Sequence, residues 1–237
     1  MFDDDEGLEA DLLHAVPIFP LPNAVLLPGM VLPLNVFEPR YLELVDHARE
    51  GGQYIGVPLL RPGYENDYEG RPETEAVFGV GRLISHQRLP DGRRFIRLAG
   101  ARRLRRVREL PPEQSFRLVE CALLAEVEPS EESALDVLKA QLERIASTLR
   151  PDDAQLVDSV LRIPDPRVLT YAVAAILPTL GLTQGSASTQ HSIMLAMQQA
   201  TLDADDGDAR VQVLSDFAAE QCARLLDDGR IPKTLLN

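Results

Sequence analysis

The chain has 237 residues, a formal net charge of −13 and two cysteines. Its length allows one large domain or two ordinary ones, and its apolar fraction of 45% and charged fraction of 26% are typical of globular proteins. These values exclude a disordered chain, a collagen-like chain and a scaffold held together by disulfides. We expect Cys121 and Cys222 to be small buried side chains in a reducing compartment.

The charges are distributed unevenly along the chain. Residues 71–108 contain eleven Arg and three acidic residues, a local net charge of +8, so the remaining residues carry −21. The acidic total argues against a general nucleic-acid-binding protein. The arginine-rich segment 71–108 is nevertheless compatible with a local binding site for an anionic partner.

The start of the chain argues against export and against membrane insertion. Residues 1–11 are acidic where a signal peptide is basic, and we expect them to form a flexible N-terminus. The uncharged run 12–37 is long enough to cross a bilayer, but five prolines interrupt it and would break a helix. The sequence therefore predicts a cytoplasmic protein with no membrane contact.

Short apolar runs bounded by Pro and Gly predict that the first half of the chain is built from strands. These runs are AVPIFPL (15–21), AVLLPG (24–29), MVLPLNVF (30–37), QYIGVPLL (53–60), TEAVFGVGRLISHQRL (74–89), RRFIRLAG (93–100) and FRLVECALLAEV (116–127). Within the fifth run, Gly79 and Gly81 predict a bulge or a sharp bend. The tetrapeptide LPDG (89–92) predicts a hairpin turn.

One helix is predicted among the strands, over residues 38–50. Glu38 can cap it, Pro39 fits the first helical position, and an apolar stripe that includes Tyr41 follows. Residues 61–73, which are polar and rich in Gly and Pro, predict a loop.

The pattern changes near Glu128 from strand to helix. Ser130 can cap a helix whose apolar residues recur every three or four positions. Asp165 and Pro166 form a cap and a first helical position for another helix. Further helices are predicted over residues 152–162, 188–201 and 208–228.

These patterns together predict an α+β protein of two parts. A strand-rich part covers residues 12–128, and a helical part covers residues 129–237. Several short strands in one small domain favour a barrel or a sandwich, since closure removes exposed strand edges.

The sequence contains no residue pattern for catalysis. The four histidines lack the spacing of metal ligands, and the segment PKT (232–234) lacks the glycines of a phosphate-binding loop. No Gly-x-Ser-x-Gly nucleophile motif occurs. We therefore expect a protein that is not an enzyme and that takes no metal and no cofactor.

The arginine-rich strands have two interpretations. Strand alternation places Arg93, Phe95 and Arg97 on one face. The opposite face then carries Arg94, Ile96 and Leu98. An exposed face of Arg and aromatic side chains could bind phosphate or stack on a base, and the candidate residues are Arg93, Arg97, Arg102 and Arg103. The alternative is a solvated or ion-paired surface.

Two segments resemble the Lon protease N-terminal domain family. FPLPNAVLLPGMVLPLNVFEPRYLELV (19–45) is similar to the opening signature of that family. GVGRLISHQRLPDGRRFIRLAGARRLRRVREL (79–110) is similar to its hairpin, which carries a Leu-Pro-Asp-Gly turn and then a Gly-x-x-Arg run. The resemblance covers residues 14–128, and IPDPRVLTYAVAAILP (163–178) resembles the family's helical subdomain more weakly.

The resemblance implies a PUA-like β-barrel subdomain followed by a helical bundle. In Lon proteases this domain recognises substrates, and a motor domain and a protease domain follow it. Because this sequence has neither, we expect a stand-alone, non-catalytic module that binds unfolded or apolar polypeptide segments or a partner protein. The alternative implied by other PUA-like barrels is a module that binds RNA or phosphate through the arginine-rich strands.

Two candidate binding surfaces follow from the residues. In FEPRY (37–41), one prediction is that Glu38 and Pro39 start a helix, with Tyr41 packed beneath it and Arg40 paired with an acid. The alternative is that Phe37, Arg40 and Tyr41 line a groove for a partner. Met194 and Met197, with Ile193, share a helix face, which is either ordinary core or an adaptable apolar surface.

Overall fold

The computed structural model describes residues 10–180 and 186–227. The chain divides into two compact units, Met1–Ala125 and Glu126–Asn237. Of the predicted flexible N-terminus, residues 1–9 lie outside the described residues, and so does the end of the predicted helical part after residue 227.

The first unit contains a sheet and one long helix. Its elements are α1 (Ala10–Leu13), β1 (Val16–Ile18), β2 (Val31–Val36), α2 (Pro39–Glu50), β3 (Tyr54–Val57), β4 (Val77–Arg88), β5 (Arg94–Glu109) and β6 (Arg117–Leu123). A single 3₁₀ turn, Tyr64–Asp67, lies within the predicted loop. Helix α2 begins at Pro39 as predicted, because proline fits the first helical turn, where its missing N–H has no helical partner.

The sheet closes on itself. The strand order is β2-β5-β4-β3-β1-β6, and β5 also pairs with β6, so five strands form a ring and β2 lies outside it on β5. Strand β5 is long enough to do this: Ala99 near its start pairs with Val31, and Leu104 farther along pairs with Leu123. Among these strands, β1 and β3 are parallel and the other pairs are antiparallel.

The alternation predicted over residues 93–98 is confirmed at the start of β5. Ile96 and Leu98 are fully buried, whereas Phe95 and Arg97 are exposed on the opposite face. The register between β4 and β5 shifts beside Gly81, which confirms the predicted bulge.

The prediction of a strand over residues 24–29 was wrong. Leu26 and Leu27 are buried without forming a ladder, and their carbonyl groups lie against two glycines of the barrel. A Cβ atom added at Gly79 would lie 1.8 Å from the Leu26 oxygen, and one at Gly100 would lie 2.1 Å from the Leu27 oxygen. The glycines therefore permit a close backbone approach that an apolar run alone does not reveal.

The second unit is helical. Its helices are α3 (Glu132–Ala146), α4 (Pro151–Leu161), α5 (Pro166–Ile176), α6 (Ala187–Asp203) and α7 (Gly207–Asp227). Asp165 caps α5 as predicted, accepting from the Arg167 N–H. The predicted cap at Ser130 was wrong: Glu131 occupies the N-cap position, and the Ser130 hydroxyl donates to Asp208 at the start of α7. A sheet with one long helix in the first unit and a set of helices in the second make the fold α+β.

Candidate polypeptide-binding site

A cavity of about 240 Å³ lies where α2, the 61–73 loop and the start of β6 meet. It is lined by Arg40, Tyr41, Glu69, Gly70, Arg71, Ser115, Phe116 and Arg117. Two of these residues, Arg40 and Tyr41, were candidates from the sequence. The third candidate of that group, Phe37, is 62% exposed and is not among the lining residues.

Glu38 organises the α2 side of this cavity. Arg40 donates from Nε to its Oε2 over 3.0 Å, and the Tyr68 hydroxyl donates to its Oε1 over 2.8 Å. Burial and the hydrogen bond to Glu38 raise the pKa of Tyr68, so its hydroxyl remains protonated and can donate. The cavity wall is therefore held by charge-assisted bonds between a helix and a loop.

Tyr41 has a structural position beneath Arg40. Its ring centre lies 4.0 Å from that of Phe19, and the Arg40 guanidinium lies 4.8 Å from the Tyr41 ring centre. The residue is only 6% exposed, and burial raises its pKa to about 12. Tyr41 thus belongs to the barrel core and also forms part of the cavity wall.

Two arginines of the cavity share one carboxylate. Arg71 donates from Nη1 to Glu109 over 2.6 Å, and Arg117 donates to both oxygens of Glu109 over 3.0 and 2.7 Å. Burial favours the neutral acid, but the bonds from Arg117 and the charges of both arginines outweigh it and lower the pKa of Glu109. Glu109 is therefore ionised at neutral pH and fixes both side chains.

The helical unit contains a separate groove of about 440 Å³ between α6 and α7. It is lined by Ile193, Ala196, Met197, Val213, Asp216, Phe217, Glu220, Gln221 and Arg224. Met197 is 5% exposed and contributes to the floor, and Phe217 is partly exposed. Met194 is partly buried and is not among the lining residues.

A family model describes most of this fold. The ATP-dependent protease La (LON) substrate-binding domain matches residues 15–180, a range that includes all six strands and helices α3, α4 and α5. The chain belongs to the LON substrate-binding domain family. The predicted resemblance is confirmed, and the α6–α7 groove of this LON-type chain lies beyond the matched range.

Relatives and solved structures agree with this assignment. A Lon protease of Flavobacterium johnsoniae is 27% identical over 129 residues, which are 54% of this chain and 16% of that protein. A Lon N-terminal domain protein from Xanthomonas campestris superimposes with a TM-score of 0.54 and 25% identity, covering 86% of this chain and 98% of that chain. The N-terminal domain of the Mycobacterium avium complex Lon protease has a TM-score of 0.61 at 18% identity, covering 87% and 98%, and shows the same fold.

The curated Lon proteases are much longer than this LON-type chain. The chain spans about a fifth of the length of the curated relatives it matches. The similarity therefore does not assign the activities of the complete Lon proteases to this chain.

The four candidate anion-binding arginines of the LON-type barrel have different environments. Arg93 forms an ion pair with Asp91 over 2.7 Å, and Arg97 is exposed. Arg102 is partly buried, and Arg103 is only 1% exposed and donates to the Ala125 carbonyl over 3.0 Å. Arg103 is therefore not available on the surface for an anion.

Sequence patterns did not identify several residues of the two sites. Arg71 lies in the polar loop and Arg117 at a strand start, and no local signal links two positions that are 46 apart. Phe217 could have been found, because Val213, Phe217 and Gln221 recur every four positions along α7 and share a face.

Residues 10–180 and 186–227 contain neither a metal-ligand cluster nor a membrane-spanning helix. No three His, Cys, Asp or Glu side chains in these ranges come together as metal ligands. No helix in the same ranges combines the length and the apolar character needed to span a membrane.

Proposed function

We propose that this chain is a non-catalytic polypeptide-binding domain that takes apolar, unfolded segments into the α6–α7 groove. The membership of the LON substrate-binding family, matched over residues 15–180, carries the polypeptide-binding part of this proposal. The placement in the α6–α7 groove, which lies outside that range, rests on the groove itself. The groove supports it, because Ile193, Met197 and Phe217 offer an apolar lining, and the flexible Met side chain can repack against different ligands.

The charges at the groove favour a particular kind of segment. Asp216 and Glu220 lie along the groove, and Arg224 is paired with Glu220, which leaves one net negative charge. An apolar stretch flanked by Lys or Arg would complement this rim. The net charge of −13 also disfavours RNA as the ligand.

The proposal also covers the cellular location, the lack of catalytic activity and the domain organisation. We propose that the chain works in the cytoplasm and has no peptidase or ATPase activity of its own. We also propose that residues 12–128 and 129–237 fold as separate parts, which the two compact units support.

Binding of a labelled, reduced and carboxymethylated unfolded protein tests the proposal. Phe217→Ser should weaken binding about tenfold, because a large apolar contact is lost. Leu156→Ser is the matched control, since Leu156 is a 43% exposed apolar residue on α4 that does not line the groove. The melting temperature of both variants should remain close to that of the wild type.

The dependence of binding on salt concentration distinguishes apolar binding from electrostatic binding. Binding through the groove should persist as the salt concentration rises, whereas binding driven by phosphate falls steeply. Equal binding by the Phe217 and Leu156 variants would contradict the proposal. So would tight, salt-sensitive binding of RNA together with no affinity for unfolded protein.

A further inference from the structure

The 240 Å³ cavity of the barrel presents an arginine with unused donors. Arg71 donates from Nη1 to Glu109, and no described residue accepts from its Nε or Nη2. Those two groups form the side of the guanidinium that binds a carboxylate through two parallel hydrogen bonds. The side chain is 36% exposed, so a ligand in the cavity can reach it.

Arg117, the other arginine that binds Glu109, uses all of its donor groups within the protein and keeps Glu109 in place. Arg117 uses Nε and Nη2 on Glu109, and its Nη1 donates to the Pro72 carbonyl over 2.8 Å. Its side chain is 10% exposed. Glu109 is thereby fixed, and it neutralises only one of the two guanidinium charges.

One part of the cavity wall, formed by two aromatic side chains, is suited to a small apolar group. Tyr41 and Phe116 are buried aromatic residues that line the same cavity. The volume of about 240 Å³ is below the roughly 300–1,000 Å³ of pockets for drug-sized ligands. The cavity therefore fits one amino-acid residue rather than a long segment.

We infer that this cavity holds the C-terminal residue of a bound polypeptide. Its α-carboxylate accepts from Nε and Nη2 of Arg71, and its side chain contacts Tyr41 and Phe116. The inference rests on the proposed function and adds a second contact point, on the barrel unit, for the same class of ligand.

The local charges favour a carboxylate over a phosphate. Glu69 lines the cavity, and Glu38 and Glu109 accept from its arginines. Arg40, Arg71 and Arg117 are balanced by Glu38, Glu69 and Glu109, so the cavity is close to neutral. A phosphate with two negative charges is therefore less favoured than a carboxylate, which carries one charge and matches the two remaining donors of Arg71.

Three short peptides test the inference on the full chain. The first is N-acetyl-Ala-Ala-Leu with a free carboxylate, the second is its C-terminal amide, and the third is N-acetyl-Ala-Ala-Glu amide. We expect the free acid to bind about tenfold more tightly than the Leu amide, as measured by calorimetry. The Glu amide should bind no better than the Leu amide, because its carboxylate is on a side chain.

Arg71→Gln should remove the preference for the free acid and leave the amide unchanged. Arg71→Lys should retain only part of the preference, because it keeps the charge but loses the fork. Arg108→Gln is the matched control: Arg108 is a 63% exposed arginine that is paired with Glu120 over 2.6 Å and does not line the cavity.

The results distinguish this inference from the proposed function. Equal binding of the free acid and the amide, no binding of either peptide, or an unchanged preference in Arg71→Gln would each overturn the inference. Preferential binding of inorganic phosphate would also overturn it. If the unfolded protein still binds and Phe217→Ser still weakens that binding, the proposed function stands without the inference.

Discussion

The guanidinium of Arg210 lies over the ring of Tyr171, with its central carbon 5.0 Å from the ring centre, and both residues are fully buried. The Tyr171 hydroxyl donates to Glu126 over 2.8 Å, and Nη2 of Arg210 donates to the Val127 carbonyl over 2.8 Å. Arg210 and Glu126 also form an ion pair over 3.5 Å. These contacts join α5 and α7 to the segment that precedes α3.

Replacing Arg210 should strongly destabilise the helical unit. Arg210→Met removes one partner of a buried ion pair, and the expected loss in the free energy of unfolding is about 3–5 kcal/mol. Urea denaturation followed by circular dichroism measures it. Arg224→Met is the control on the same helix, because Arg224 forms a partly exposed ion pair with Glu220 and should cost less than about 1 kcal/mol. Equal losses in the two variants would show that the Arg210 cluster does not stabilise the unit.

A methyl group at Gly79 should destabilise the barrel. Its Cβ would lie 1.8 Å from the Leu26 carbonyl oxygen, so the 24–29 segment or strand β4 would have to move. We expect Gly79→Ala to cost at least about 1–3 kcal/mol, the usual range for overpacking a core. Gly52→Ala is the control, because the nearest atom to its added Cβ is a Leu12 side-chain carbon at 3.6 Å. Thermal melts compare the two, and a Gly79→Ala protein as stable as the control would contradict the close approach.

The pairing of Asp46 with Arg94 should make stability depend on pH in the acid range. Arg94 is 5% exposed and donates from Nη1 and Nη2 to the two oxygens of Asp46, and these hydrogen bonds lower the pKa of the carboxyl. A lowered folded-state pKa means that the stabilisation is present above the unfolded pKa of about 3.9 and is lost as the pH falls through the folded-state value.

Asp46→Asn should therefore be less stable than the wild type at pH 7, by about 1 kcal/mol, because the Asp46 side chain is 48% exposed and solvent screens its charge. The difference should shrink as the pH is lowered below about 4. Asp136→Asn is the control, since Asp136 is 69% exposed and lies 4.0 Å from Lys139. A stability difference that stays constant from pH 7 to pH 2.5 would refute the assignment.

Replacing Tyr41 by Ala should lower the stability of the protein and not only its affinity for a ligand. Its ring is buried against Phe19, so Tyr41→Ala should cost about 3–5 kcal/mol. Tyr41→Phe keeps the ring and should stay within about 1 kcal/mol of the wild type. A Tyr41→Ala protein that melts normally but no longer binds peptide would show that the residue serves binding alone.

The sequence identified elements whose cause is local. Pro39 and Pro166 mark helix starts because the missing N–H has no partner in a first turn. The turn at 89–92 follows from Gly92, which has a φ of 88° that other residues rarely adopt. The two faces of β5 over residues 94–98 follow from the alternation of side chains along a strand, and the family resemblance followed from two local stretches.

The tertiary structure decided whatever depends on contacts between distant segments. The run 24–29 looks like a strand, but its carbonyls pack on Gly79 and Gly100, and no pattern within the run reports that approach. Closure of the barrel depends on β5 reaching both β2 and β6, which is a matter of register over sixteen residues. Arg71 binds Glu109, which is 38 positions away, through Nη1 and so keeps Nε and Nη2 available. Glu109 is in turn held by Arg117, which is 46 positions from Arg71. Local residue preferences act over a few positions, whereas such constellations arise only when the packed core fixes which distant segments become neighbours.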